Sequence, residues 1–175
     1  VKHNCPINWD YYLQTASNPE RINVYCCFDN EEVGSRTRQG ADSTLLSGTL
    51  SRICASLGYT EAQLVQGITE SFMVSADNAQ GFHPNHPELS DEGNNVKLNQ
   101  GVVIKFNAAQ SYTSDSFSSC VLKCLAEKAN VPVQIYTNRS DQRGGGTLGS
   151  ISSTQVSIPS VDIGLAQLAM HSALE

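Results

Sequence analysis

The apolar residues of this 175-residue chain fall into short segments that alternate between strand-like and helix-like spacing. Runs with an apolar majority predict strands at 21–28, 101–106 and 131–136. Helical spacing, or a short segment bounded by turn residues, predicts helices at 6–16, 43–57, 61–73, 116–129 and 147–154. Strands interleaved with helices are typical of an α/β layered domain, and the length suits a single domain with a full core.

Turn and capping residues predict where several of these elements begin and end. Gly58 ends the helix at 43–57, and Thr60 is the expected N-cap of the helix at 61–73. Residues 77–101 are polar and rich in Asn, Pro and Gly, which predicts a loop. A loop of this length is uncommon inside a compact domain, so we expect it to line a functional site.

Charge and hydropathy argue against two classes of partner. The chain has 11 Lys and Arg residues against 17 Asp and Glu, a net charge of -6, and no basic stripe, so nucleic acid is not expected. No segment approaches the roughly 20 apolar residues that cross a bilayer, so no membrane association is expected. The chain starts at Val1 without a methionine and ends abruptly at Glu175, and we therefore expect a piece of a longer polypeptide.

The six cysteines indicate a reducing compartment. None belongs to a Cys-x-x-Cys zinc pattern. Cys26 and Cys27 lie in the first predicted strand, and Cys120 and Cys124 share a helical face, so we interpret them as small buried hydrophobic residues rather than disulfides. A glycosylation motif begins at Asn138, but nothing else points to secretion, and a cytoplasmic location is expected.

Acidic and imidazole side chains follow several apolar segments. Glu31 and Glu32 come directly after the first predicted strand, where adjacent side chains point different ways, which suits one metal ligand beside one free base. Asp77 follows the apolar end of a predicted helix, and His171 follows a short run of mainly apolar residues. Such exits are where α/β sheets gather functional groups, and carboxylates with imidazoles bind zinc, manganese or cobalt. A metal hydrolase is narrowly favoured over a solvated acidic loop, a turn cap and a core histidine.

Two other patterns are weaker. His83 and His86 have the residue types of a metal pair, but Pro84 between them is incompatible with helical ligand geometry. The glycine run at 144–146 has the flexibility of a phosphate-binding loop, but it lacks the Lys-Ser/Thr of a P-loop, so nucleotide binding is not expected.

Five motifs occur in the order found in one family of enzymes. They are residues 28–35 (FDNEEVGS), 73–77 (MVSAD), 83–85 (HPN), 101–105 (GVVIK) and 167–172 (QLAMHS). Together they closely resemble the aspartyl aminopeptidase family of metallopeptidases, which includes the yeast vacuolar aminopeptidase. The similarity extends along essentially the whole chain, and the last motif favours this family over related glutamyl or deblocking aminopeptidases.

The resemblance implies a fold, an activity and a set of roles. The fold is an αβα sandwich of the zinc aminopeptidase type, with residues 1–175 as the C-terminal part of its catalytic domain. The activity is hydrolysis of the N-terminal residue, possibly Asp or Glu, from peptides with a free N-terminus, by a homo-oligomer that binds two divalent metal ions, expected to be zinc. Glu31 resembles the general base, and Glu32, Asp77 and His171 resemble metal ligands.

The chain also departs from the family pattern. An earlier histidine and an aspartate that bridges the metals would lie upstream of this chain, so the chain alone is expected to be inactive. Gln80 stands where the family commonly has histidine. This substitution supports an alternative hypothesis, a non-catalytic relative that acts as a scaffold or peptide-binding protein.

Overall fold

The computed structural model describes residues 21–142, 144–172 and 174, and the helix predicted at 6–16 lies outside them. The helices are α1 Leu45–Ser56, α2 Glu61–Thr69, α3 Ser116–Lys128 and α4 Leu148–Gln155, with short 3-10 turns at Glu31–Val33 and Pro87–Leu89. The strands are β1 Met73–Ala76, β2 Ala79–Gln80, β3 Val102–Phe106, β4 Val133–Thr137 and β5 Ser160–Gln167.

Local sequence accounts for the helix ends. Thr60 forms a capping box with Gln63 at the start of α2, in which each side chain bonds the backbone N–H of the other residue. Asp115 forms the equivalent box with Ser118 at the start of α3. Gly58, with a φ of 82°, follows α1 in the left-handed conformation that glycine adopts without strain. The predicted N-cap and the predicted helix end are both confirmed.

The strands form one mixed sheet with the order β1-β5-β3-β4, and β2 continues beside β5. β1 and β2 run parallel to β5, β3 runs parallel to β4, and β3 and β5 are antiparallel. Val103, Ile104 and Val161 are fully buried in the middle of this sheet. α4 packs against β1 and β5, and α3 packs against β5. The layered α/β architecture expected from the sequence is therefore confirmed.

β1 and β2 lie one after the other along the same edge of β5, and Asp77 and Asn78 separate them. The register against β5 is the same on both sides of this interruption. Gly164 lies opposite, and a Cβ there would be 2.2 Å from the Asp77 carbonyl oxygen, so a side chain would force the chains apart. The interruption presents the Asp77 side chain at the end of β1.

One predicted boundary is wrong near this point. The helix predicted at 61–73 ends at Thr69, and Met73 already belongs to β1, so Asp77 follows a strand and not a helix. Apolar spacing cannot separate a short buried strand from the last turn of a helix, and the long-range pairing with β5 decides the conformation. β5 itself, the longest strand of the described sheet, was not predicted.

The segment 21–28 is also different from its prediction. Its backbone joins none of the strands of the described sheet, and six of its eight residues are exposed. Cys26, Cys27, Cys120 and Cys124 are free and exposed, so their interpretation as buried residues is wrong, although none of the described cysteines is in a disulfide. Apolar composition indicates what a segment can bury, but burial requires a covering surface, which the described residues do not supply here.

No helix in the described part of the chain combines the length and apolar character required to span a membrane.

Candidate active site

Glu31 and Glu32 lie on a tight turn that the neighbouring backbone holds in place. The turn begins at Asn30, whose φ of 60° is left-handed, and closes where the Ser35 N–H donates to the Asn30 carbonyl at 2.8 Å. Ser35 is buried, and the absence of a side chain at Gly40 lets the chain pack directly on the Ser35 carbonyl. The acids are therefore carried by an anchored turn.

His171 reaches this turn from the opposite end of the sequence. Its Nε2 lies 2.9 Å from Oε1 of Glu32, and both side chains are more than half exposed, at 57% and 65%. His171 follows β5 and has a φ of 71°, which is uncommon for a residue other than glycine. A carboxylate oxygen and an imidazole nitrogen are thus adjacent at the site.

Asp77 is paired with a buried lysine on β3, which is separated from β1 by β5. Nζ of Lys105, on β3, lies 3.3 Å from Oδ2 of Asp77 and donates to the Asn78 carbonyl at 2.9 Å. The ammonium also lies 5.4 Å from the ring centre of Tyr112. Burial lowers the pKa of Lys105, and the nearby negative charges, that of Asp77 first, oppose this change.

Electrostatics link Glu31 to all of these groups. Burial is the largest cause of a raised pKa at Glu31, and the negative charges of Asp77 and Glu32 raise it further. The positive charges of Lys105 and His171 act in the opposite direction. Glu31 thus occupies a common electrostatic neighbourhood with the other three residues singled out in the sequence.

The donor types fit zinc, but the described residues do not complete a zinc site. Zinc in proteins takes His nitrogen and carboxylate oxygen among its ligands, and a catalytic site has three protein ligands. Within the described residues, no group of three or more His, Cys, Asp or Glu side chains is placed so that it could hold a metal. Glu32 and His171 are a ligand-type pair, whereas Asp77 is bonded to Lys105.

A cleft of about 300 Å³ opens beside these residues. Its lining includes Asp77, Lys105 and Met170, the residue before His171, together with much of the predicted loop at 77–101. The expectation that this loop lines a pocket is met. Gln80, on β2 opposite Gln167, also lines the cleft.

Several residues of the cleft wall were not recognised in the sequence. Tyr112 and Tyr136 meet edge to face with ring centres 6.2 Å apart. The amide of Asn138 donates to the Tyr136 hydroxyl at 3.0 Å and accepts from Asn107 at 3.0 Å, so the side chain of the glycosylation motif is engaged in the cleft wall. Asn138 directly follows β4, and the rule that singled out Asp77 could have found it.

The other motifs contribute differently. The rings of His83 and His86 have centres 5.4 Å apart, and Nδ1 of His86 pairs with Glu88 at 3.2 Å. Neither histidine lines the cleft. Gly144 lies against Asn138, where a Cβ would be 2.4 Å from its amide nitrogen, so a side chain at this position would displace the Asn138 amide from the cleft wall.

Asp77 and His171 follow strands of an α/β sheet, and Glu31 and Glu32 lie on a turn near them, an arrangement of acids and an imidazole that suits a metallopeptidase domain. The chain matches the family described as aminopeptidase I zinc metalloprotease (M18) over residues 9–175, and it belongs to that family. The family membership expected from the five motifs is therefore confirmed, and the homologues are aminopeptidases of the zinc metallopeptidase class.

Individual relatives agree with this assignment. A probable M18 family aminopeptidase 2 of Clostridium novyi is 54% identical over 162 residues, which cover 92% of this chain and 37% of that protein. A probable aspartyl aminopeptidase of Ricinus communis is 40% identical, with 95% and 33% covered. The structure of the S. cerevisiae mApe1 dodecamer has a TM-score of 0.70 and 30% identity, with 83% and 32% covered. The chain spans about a third of the length of these relatives.

Proposed function

We propose that the protein containing this chain is a metal-dependent aminopeptidase that removes the N-terminal residue of peptides. Glu31 is the general base, and Glu32, Asp77 and His171 contribute to the metal site. The observation that carries the proposal is the environment of Glu31, a half-buried carboxylate with a raised pKa beside a second carboxylate that contacts an imidazole. The position of Asp77 in the lining of the cleft, with Glu31 near enough for the two charges to interact, supports it.

The chemistry assigned to this chain is a proton transfer at Glu31. A carboxylate whose pKa is raised above its ordinary value is a better proton acceptor than an ordinary one, and it can return the proton to the leaving amine. Glu32 contacts His171 and is therefore assigned to the metal site, so Glu31 is the glutamate that remains free to act as the base. Metal bound at the completed site would polarise the scissile carbonyl and lower the pKa of the attacking water.

The finer features are also proposals. Two zinc ions are supported by the family's zinc chemistry together with a ligand-type pair and a separate Asp77 in this chain. A preference for acidic N-terminal residues is supported by the name of the Ricinus relative. A homo-oligomer is supported by the dodecameric relative. A cytoplasmic location stays a prediction.

The test uses the full-length protein with an aminoacyl-anilide substrate. We expect Glu31→Gln to lower kcat by about 10²–10⁴-fold while bound zinc is retained, because the amide cannot accept the proton. Glu32→Gln is expected to lower bound zinc as well as activity. The matched control is Glu92→Gln, an exposed acid of the 77–101 loop that does not line the cleft.

The same measurements distinguish the enzyme from the alternative, a non-catalytic relative. A wild-type protein that holds zinc and turns over substrate supports the enzyme. A wild-type protein that binds peptide without zinc and without turnover would establish the scaffold or peptide-binding relative that Gln80 suggested. Full activity of Glu31→Gln would refute the role of the base.

A further inference from the structure

We propose that Asp162 is a positioning residue that fixes two walls of the cleft to one point of the central sheet. The walls are the segment 111–114, which carries Tyr112, and the segment 144–147, which carries the glycine run. The proposal rests on the proposed function only in treating this cleft as the place where substrate binds.

Asp162 is fully buried in β5, and each of its carboxylate oxygens accepts a hydrogen bond. Oδ2 accepts the backbone N–H of Thr113 at 2.5 Å, and Oδ1 accepts the hydroxyl of Thr147 at 2.7 Å. The backbone N–H of Asp162 also donates to the Ser114 hydroxyl at 2.9 Å. One residue therefore holds both segments.

The two segments also contact each other and leave little freedom around the carboxylate. The Thr147 N–H donates to the Ser111 carbonyl at 3.3 Å. Gly149, in the first turn of α4, lies so close that a Cβ would be 2.6 Å from Oδ1 of Asp162. Any displacement of the carboxylate would therefore be transmitted to both walls together.

A charged side chain is an expensive way to fill space in a sheet. A buried carboxylate is tolerated only when its oxygens are bonded, and bonds from neutral donors to an ionised acceptor are stronger than bonds between neutral groups. Among the described residues, Asp162 is in no ion pair, so its donors are the N–H and hydroxyl groups of the two walls. The carboxylate thus serves to hold them.

The cleft residues that depend on these walls are those nearest the proposed chemistry. Tyr112 is next to Thr113 in sequence, and its ring faces the Lys105 ammonium that pairs with Asp77. Gly144 packs on Asn138, which continues the same wall. A shift of either wall would change the shape of the cleft without removing Glu31, so substrate binding is the quantity expected to suffer.

The test replaces Thr147 in the full-length protein, because loss of Asp162 itself endangers folding. Thr147→Val keeps the shape and removes the hydroxyl, and this hydroxyl makes no capping bond to α4. We expect KM to rise several-fold, by no more than the roughly tenfold that loss of a whole hydrogen bond to a charged group would cause, with kcat within about threefold. Thr147→Ser restores the hydroxyl and is expected to restore KM.

The matched control is Ser152→Ala. Ser152, on α4, is buried like Thr147, the residue before that helix, but the Ser152 hydroxyl has no hydrogen-bond partner among the described residues, so its removal is expected to leave KM unchanged. If Thr147→Val also leaves KM at the wild-type value, or if Thr147→Ser fails to restore it, the positioning role is refuted.

Amide hydrogen exchange provides a readout that does not depend on catalysis. In Thr147→Val, we expect the segments 111–114 and 144–147 to exchange faster together, because Asp162 and the Ser111 carbonyl couple them. Unchanged exchange in 111–114 would overturn the coupling. A wild-type protein without turnover would refute the proposed function, and the exchange measurement would still decide the role of Asp162.

Discussion

Replacement of Lys105 by methionine removes the buried ammonium at the base of the cleft. The methionine side chain is of similar length and apolar, so it can occupy the channel of the lysine stem. The variant loses the ion pair with Asp77 at 3.3 Å and the hydrogen bond to the Asn78 carbonyl at 2.9 Å. Both partners stay in place without a donor.

The size of the effect follows from the burial of these partners. Removal of one partner of a buried ion pair costs about 3–5 kcal/mol, and a carbonyl left without its donor costs about 1–3 kcal/mol. The Asp77 side chain is 33% exposed, so water stabilises part of its charge and lowers the cost of losing the ion pair. Burial of the apolar methionine side chain offsets a further loss of about 1 kcal/mol. We expect a loss of about 3 kcal/mol in the free energy of unfolding.

Urea unfolding at neutral pH, followed by far-ultraviolet circular dichroism, measures this loss. Lys97→Met is the control, because Lys97 is exposed and the same substitution there should change stability by no more than about 0.5 kcal/mol. A double-mutant cycle with Asp77→Asn isolates the ion pair and is expected to give a coupling above about 1 kcal/mol. Equal losses for Lys105→Met and Lys97→Met, or a coupling near zero, would refute the reasoning.

Two more predictions concern the isolated chain and the start of α3. The 175-residue chain alone should bind zinc weakly and release no measurable product from an aminoacyl-anilide, because its described residues do not bring three ligands together; measured turnover would contradict this. Asp115→Ala should lower the free energy of unfolding by about 1 kcal/mol at neutral pH, because the carboxylate accepts the Ser118 N–H at 2.7 Å. That bond lowers the pKa of Asp115, so its contribution is present above the unfolded pKa of about 4 and is lost as pH falls through the lower folded value. A difference between wild type and variant that stays constant down to about pH 2 would argue against this origin.

Local sequence was sufficient to predict those parts of the fold that depend on interactions between neighbouring residues. The start of α2 at Thr60 and the turn at Gly58 depend on bonds and φ angles within a few residues, and both were predicted correctly. The strand β3 was also predicted, since its run of apolar residues suits a strand buried on both faces. The boundary at Met73 and the strand β5 were missed because pairing between distant segments determines them.

The residues of the candidate site also differ in whether the sequence alone could identify them. Glu31, Glu32, Asp77 and His171 could be singled out, because each is a polar residue that follows an apolar run. Asp162 could not, although an acid inside the run Val161 to Ile163 was a visible signal. Its meaning depends on Thr113 and Thr147, which approach it only in the folded chain.

The sequence by itself determined the family, the residue types of the site and most of the helices, because ordered motifs and helical spacing are properties of neighbouring residues. Only the tertiary structure decided that Glu32 contacts His171 while Asp77 is held by Lys105. It also decided that the predicted strand at 21–28 and its cysteines are exposed. The physical reason is that burial, ion pairing and strand pairing depend on which distant surface covers each residue.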